Sequence, residues 1–318
     1  MRFFHDTNID FIKSRFFFFI VSLSSLIGAI ALTLIVGVKF GIDFVGGAEV
    51  QYQFAKHVET DQIRKVIDGS HISGAEIKSY GKEGQFIVRV KEAEHVNGKQ
   101  VKISDEVTSV LDKGFPGNKV TKLGENTIGP KVGKEMRTQA VVAVVLSILA
   151  IMLYVAFRFE FIYGLGSIIA LVHDVIFTFG FTLLMGDLGL INVEFNQSML
   201  AALLTVIGYS INDTVIIFDR IRENKEKHKG ISLRKLINLS INETLSRTIN
   251  TVMTVVLVLT TMVIFAGPVL QGFSFTMLVG IVAGTYSSIY IAGSFVIWYS
   301  EKYGKGHIHE MEMVNKGI

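Results

Sequence analysis

Charged positions are unevenly spaced along this chain, and the gaps between them predict its architecture. Residues 248–300, between Arg247 and Glu301, form a run of 53 without Asp, Glu, Lys, Arg or His. A bilayer span needs about 20 apolar residues, so this run holds two. Gly267-Pro268 and Gln271-Gly272 near its middle make a tight turn, which predicts spans over 248–266 and 273–299. Four further gaps follow the same rule. Phe16–Val38 is uncharged over 23 residues, about 34 Å of helix, enough to cross with some tilt. Thr138–Phe157 is uncharged over 20 residues. Phe161–Gly186 covers 26 residues broken only by His173-Asp174, and Phe195–Phe218 covers 24 broken only by Asp213. Six membrane helices are expected. The first has basic flanks and an A-x-A match at Ala29–Ala31, as a cleavable signal has, but its apolar run is too long for a signal, so an uncleaved anchor is expected.

Between the first two spans the pattern changes. From Lys39 to Glu135 there are 15 Lys+Arg and 14 Asp+Glu, the balance of a soluble, nearly neutral domain. Ala48–Phe54 reads as a strand and Glu59–Asp68 as a helix capped by Thr60. Ala75–Tyr80 and Gln85–Lys91 read as strands joined by the glycine-bounded turn Gly81–Gly84. Gly98–Phe115 holds a helix, with Val107, Val110 and Leu111 at helical spacing and Ser104 as a cap candidate, and Lys119–Leu123 alternates like a last strand. The order βαββαβ is the ferredoxin-like split unit, a fold that names no activity. The expected fold class is therefore an α-helical polytopic membrane protein of six transmembrane helices with one extracytoplasmic α+β domain. The expected divisions are 1–39 (N-terminus and first span), 40–135 (α+β domain), 136–300 (spans two to six with a basic loop at 220–247) and 301–318 (tail).

Composition adds little to this until it is mapped. Half the residues are hydrophobic and 19% are charged, against about 25% in soluble proteins. The absence of Cys excludes a disulfide scaffold and a thiol nucleophile. A net charge of +3 is explained by topology without a nucleic-acid partner. The 220–247 segment carries eight bases, the 187–194 segment carries Asp187 and Glu194 and no base, and the N-terminus carries Arg2, Lys13 and Arg15. By the positive-inside rule both termini and the 220–247 loop are expected to be cytoplasmic.

Catalytic signatures are missing. No G-x-x-x-x-G-K-[ST] occurs, Gly129–Glu135 having the wrong spacing, and no H-E-x-x-H or G-x-S-x-G is present. His307 and His309 have no further ligand placed beside them and read as a solvated tail. No enzyme activity and no cofactor or metal is expected. Work done by this chain would draw on the membrane potential.

Ionisable residues inside a bilayer cost about 2.5–3.5 kcal/mol on insertion scales and are functional candidates. His173-Asp174 lies mid-span, with Gly166, Ala170 and Asp174 on one helix face. It reads equally as a proton relay or as a hydrogen-bonded pair that packs the bundle. Asp213 shares a small and polar face with Thr205, Gly208, Tyr209 and Asn212. Arg247, Asn250, Thr251 and Thr254 form a second polar stripe, so an Asp213–Arg247 pair reads as a gated proton site or as a static salt bridge with Arg247 snorkelling. Gly280 and Gly284, continued by Ser288 and Ala292, form a close-packing face.

Several segments resemble the SecD/SecF family of bacterial protein-export membrane subunits, in its SecF pattern. They are Phe40-Gly41-Ile42-Asp43-Phe44-Val45-Gly46-Gly47, Ile128–Gly133, Tyr154–Glu160, Ala170–Asp174, Ile207–Thr214 followed by Phe218–Asn224, and Ser246–Thr251. Val45 departs from the Thr that is common there. The resemblance implies pairing with SecD in a twelve-helix assembly related to RND transporters. It implies association with the SecYEG channel and an unfolded preprotein in transit, and possible YajC-type and YidC-type partners. It also implies residence in the bacterial inner membrane and use of the proton-motive force in translocation. It places the proton pathway on Asp213 and Arg247; Asn212, His173 and Asp174 are the further pathway candidates among the intramembrane polar residues. Gly41, Asp43, Gly46 and Gly47 would form a hinge, although the same glycines also suit a rigid turn. The competing reading is an RND-like carrier of a small molecule or lipid, for which one domain of about 96 residues is a thin source of a pocket.

Overall fold

The structure is a computed structural model that describes residues 7–70, 72, 75–91, 103–191 and 193–303. Residues 98–102 of the expected helix, His307, His309 and the end of the tail lie outside the described residues. In chain order the elements are α1 (Arg15–Val36), a helical turn α2 (Ile42–Val45), β1 (Gly47–Phe54), α3 (Thr60–Asp68), β2 (Glu76–Ser79), β3 (Gln85–Lys91), α4 (Ile103–Gly114) and β4 (Val120–Ile128). Helices α5 (Pro130–Arg158), α6 (Phe161–Asp187), α7 (Gln197–Lys227) and α8 (Leu233–Phe265) follow. Last come α9 (Pro268–Ser287), a π-helical turn at Ser288–Ala292 and α10 (Gly293–Tyr303). They divide into a sheet unit, 39–143 with 194–200, and a helical unit, 1–38, 144–193 and 201–318.

In the sheet unit four antiparallel strands take the order β2-β3-β1-β4, the arrangement expected of βαββαβ. Alternation selects the faces. Ala48, Val50, Tyr52 and Phe54 of β1 are buried in one core with Ile63 and Ile67 of α3 and Val107 and Leu111 of α4. The opposite face of β1 carries Glu49, Gln51 and Gln53. Two expected caps are corrected. α3 is capped by Glu59, in a reciprocal box with Gln62, and Thr60 is its first helical residue. Ser104 lies inside α4, where its buried hydroxyl donates to Glu125 Oε1 at 2.6 Å. The last strand extends to Ile128.

Among the described residues six helices are long and apolar enough to cross a membrane: Arg15–Val36, Pro130–Arg158, Phe161–Asp187, Gln197–Lys227, Leu233–Phe265 and Leu270–Tyr303. The apolar residues of α1 face outward, among them Phe16, Ile20, Leu34 and Ile35, while α6 turns small and polar residues inward. Close packing rests on glycine, as the spacing predicts. A Cβ on Gly284 of α9 would stand 2.9 Å from Ser210 Cβ of α7, and one on Gly180 of α6 would stand 2.7 Å from Ala29 Cα of α1.

Candidate functional site

The intramembrane site is built where α6, α7 and α9 meet. Asp174 on α6 is fully buried. Its Oδ1 lies 3.1 Å from His173 Nδ1, and its Oδ2 accepts from Ser210 Oγ at 2.6 Å and Ser287 Oγ at 2.7 Å. Next along the same helices, Thr214 and Ser288 share a hydroxyl–hydroxyl bond of 2.7 Å. Ser288 opens the π-helical turn, a local widening that is frequent at functional sites. Four hydroxyls and a carboxylate thus join three helices, and Asp174 acts as a pin between them. His173 stacks on Phe177, and its Nε2 is buried without a partner.

Asp213 sits on the same helix as Ser210 and Thr214 and is 2% exposed. Its Oδ2 accepts only from Thr285 Oγ1, at 3.3 Å, and its Oδ1 is buried without a partner. No ion pair joins Asp213 to Arg247 among the described residues, so the static salt bridge considered for this pair is not formed. Arg247 is exposed on α8, as are Thr251 and Thr254, while Asn212, Gly208 and Thr205 are exposed on α7. The sequence pattern found the two carboxylates and their small-residue faces. It missed Ser210, Thr285 and Ser287, because a hydroxyl in an apolar helix bonds its own backbone as readily as a neighbour, and only the fold selects the partner.

A second arrangement lies within the sheet unit, around the glycine motif. Gly41 N donates to Phe195 O at 3.0 Å and Phe195 N to Lys39 O at 2.8 Å. Asp43 Oδ2 accepts from Gln197 N at 2.9 Å, which caps the first turn of α7. Gly46 has φ of 84°, a left-handed conformation that glycine adopts without strain. A Cβ there would stand 2.7 Å from Pro130 Cα, and a Cβ on Gly133 would stand 2.7 Å from Gly46 N. Residues 40–47 are therefore a tight backbone crossing against the start of α5 as well as a turn. Phe44 and Phe195 stack beside it and Phe40 meets both edge-on, with the Arg137 guanidinium 4.1 Å from the Phe40 ring centre.

Immediately before Phe195, Glu194 belongs to a charged cluster that pattern reading does not single out. Arg89 Nη1 donates to Glu194 Oε2 at 2.7 Å and its Nε to Glu49 Oε2 at 2.5 Å. Lys78 pairs with Glu76 and stands 3.5 Å from Glu194 Oε1. Three carboxylates thus share two cations. Burial, with a hydrogen bond that the protonated carboxyl donates to Glu76, pushes Glu194 up to about 7. Burial also works against the charged form of Glu76, but its bonds to Glu194 and Lys78 outweigh this and hold it below the usual carboxylate range. The surplus carboxylate thus holds a proton near neutrality. A strand-to-loop ion pair across 105 positions leaves no local sequence signal.

Comparison with known proteins shows the family. The family described as protein export membrane protein SecD/SecF, C-terminal, matches residues 108–302, and the SecD/SecF GG motif matches residues 32–56. The chain is similar to the protein translocase subunit SecF of Desulfurispirillum indicum, 38% identical over 98% of this chain and 97% of that protein. The corresponding subunit of Calditerrivibrio nitroreducens is 37% identical over 92% of this chain and 94% of that protein. Among solved structures, SecDF from Thermus thermophilus, a translocon-associated membrane protein, superposes with a TM-score of 0.78 and 33% identity. The match covers 93% of this chain and 39% of that one. A second SecDF structure, in a super-membrane-facing form, gives 0.71 and 31% over 97% of this chain and 41% of that one. The chain spans about two fifths of the length of these SecDF chains. It therefore belongs to the SecD/SecF family of protein-export membrane proteins, as a multi-pass accessory subunit of the protein translocase.

Proposed function

We propose that this chain pairs with a SecD subunit beside the SecYEG channel and uses the proton-motive force to drive forward movement and release of an unfolded preprotein. YajC-type and YidC-type subunits are the further partners of this reading. Both termini and the 220–247 loop face the cytoplasm, and the α+β domain at 40–135 faces the periplasm. The observation that carries the reading is Asp213. A carboxylate buried in a membrane helix with one oxygen unpartnered and no cation bonded to it is costly, and a proton relieves that cost. One charge moved across 100 mV is worth about 2.3 kcal/mol, on the scale that separates two packings of a helix bundle.

Asn212 and Arg247 flank the pathway on exposed helix faces. Thr205, Gly208 and Asn212 on α7, with Arg247, Thr251 and Thr254 on α8, are polar and small where lipid would demand apolar residues, which supports a partner helix there. Asp174 is assigned as the pin, with His173 Nε2 as the nitrogen free to take part in proton transfer. The helix that bears Asp213 begins at Gln197, whose amide is held by Asp43. Asp43 therefore ties the glycine motif to the start of that helix, by which a shift of α7 would act on the domain.

The test is preprotein completion in inverted membrane vesicles containing the SecD partner, with and without a proton gradient. Asp213→Asn and Arg247→Met are expected to lose the gradient-dependent stimulation while the complex still assembles. Stimulation at the wild-type level in both variants would refute the proton role. In the same assay Asp174→Asn is expected to weaken assembly, and loss of stimulation with assembly intact would reassign Asp174 to the relay.

A further inference from the structure

The N-terminal segment, the start of α1 and the first turns of α8 enclose an open cavity of about 770 Å³. Its wall is built. Asn242 and Asn238 accept the amides of Ile9 and Phe11 at 2.9 Å each, and both donate back to Ile9 O at 2.9 and 3.0 Å. Segment 9–11 is thereby clamped along α8. Lys13, Arg15, Arg234 and Lys235 line the cavity, against one lining carboxylate, Asp10, which accepts from the Lys13 amide. Glu301 pairs with Arg234 at 2.6 Å and with Arg15 Nη2 at 3.5 Å. Among the described residues, counting both acids, the site keeps an excess of two positive charges. Arg15 Nη1 and Thr7 Oγ1 are buried and have no partner. Arg15 also lies over the Phe16 ring at 4.9 Å, and a cavity lined by four bases, with a guanidinium nitrogen and a hydroxyl that lack hydrogen-bond partners, suits phosphate oxygens.

The cavity's depth identifies the source of the phosphate. Arg15 opens the first membrane span, and the exposed Phe16 and the half-buried Leu239 supply apolar lining beside the bases. Glu301, which holds Arg15 and Arg234, lies between the exposed Trp298 and Tyr303 at the end of the sixth span. Aromatic residues at span ends mark the headgroup level of a bilayer. A basic pocket at that level with an apolar lip takes a phosphodiester whose acyl chains run along the first helix. We propose that this cavity binds the headgroup of an anionic phospholipid on the face of the membrane that carries the N-terminus. The proposal does not depend on the proton-driven reading above.

The test uses the full chain purified in a neutral detergent, with lipid binding read by native mass spectrometry and by thermal shift. The probes are phosphatidylglycerol, phosphatidylcholine and inorganic phosphate. The wild type is expected to bind phosphatidylglycerol in preference to phosphatidylcholine, and inorganic phosphate at least an order of magnitude more weakly. Lys13→Gln with Lys235→Gln removes two exposed charges and is expected to weaken phosphatidylglycerol binding by roughly tenfold or more, with an unchanged melting temperature in detergent alone. Lys225→Gln with Lys229→Gln removes the same charge elsewhere on that side and is expected to leave binding unchanged. Equal affinity in the Lys13/Lys235 variant, equal affinity for phosphatidylcholine, or equally tight inorganic phosphate would each overturn the lipid site.

Discussion

The sheet unit and the helical unit solve opposite solvation problems with one chain. In the sheet unit Ile63, Ile67, Val88 and Leu111 are wholly buried, and the charged residues lie on the outer face or pair there. In the helical unit the large apolar residues Phe16, Leu34, Ile35, Phe157 and Phe265 are exposed, and Asp174, Asp213, Ser287 and Ser288 are buried. Water drives apolar groups inward in the first. A hydrocarbon surround removes that drive in the second, leaving hydroxyl–carboxylate bonds and close glycine contacts to hold the helices. Exposure of a side chain therefore has a different meaning in each unit, and substitutions can separate the two.

The largest difference is expected from truncating matched isoleucines. Ile67→Ala opens a cavity in the sheet core and is expected to cost about 2–5 kcal/mol. Ile27→Ala, on the exposed face of α1, opens none and is expected to stay within about 1 kcal/mol. Denaturant melts of the two variants, followed by a reporter in each unit, read this contrast directly; equal losses would collapse it.

Adding charge reverses the ranking. Ile27 is 59% exposed and Leu123 is 48% exposed, yet Ile27→Lys is expected to cost about 2.5–3.5 kcal/mol of insertion and Leu123→Lys less than about 0.5 kcal/mol. Membrane-inserted yield and carbonate extraction measure the first, thermal unfolding the second. A soluble-protein reading of α1 would predict no difference between them.

Gly180→Ala sharpens the role of close contact. Alanine in a helix is normally favoured over glycine by about 1 kcal/mol, but here the added methyl meets the Ala29 backbone. Overpacking of about 1–3 kcal/mol is expected to win, so the variant should be less stable in detergent than the wild type. A gain in stability would mean that α1 is free to move away from α6.

The smallest effect is electrostatic and belongs to the sheet unit. Glu194 has a folded value of about 7, above the ordinary carboxylate value of about 4.3. Between these values the folded chain holds a proton that the unfolded chain has released. Stability is therefore expected to fall as pH rises through about 7 and to be higher on the acid side of that window. Part of the effect is lost to solvent, since Glu194 is not wholly buried. Glu194→Gln should flatten this dependence. Melting temperatures of both proteins between pH 5 and pH 8 test it, and a wild-type curve parallel to the variant's would reassign the proton.

Legibility also differed between the units. In the helical unit the spans followed from charge gaps alone, because a bilayer imposes a length of apolar chain that few other structures need. Asp174 and Asp213 were legible for the same reason, as exceptions to that rule. Their partners Ser210, Ser287 and Thr285 were not, since they come from other helices and carry no spacing signal. In the sheet unit the strands of the βαββαβ order are legible from alternation, while Thr60 and Ser104 both lie inside their helices, since several adjacent polar residues can each begin a helix. The Arg89–Glu194 pair was invisible for the reason that most long-range ion pairs are: nothing local requires it.

The sequence by itself determined six membrane-crossing helices, the position of the polar domain between the first two, and the few ionisable groups left inside the bilayer. Each follows from hydration, which acts on every residue according to its own chemistry. Only the tertiary structure decided that Asp174 is bonded to three partners, that Asp213 is bonded to one and not to Arg247, and that Asp43 caps α7. Hydrogen bonds are short and directional, so these outcomes depend on ångström-scale placement of helices that no pattern along one chain encodes.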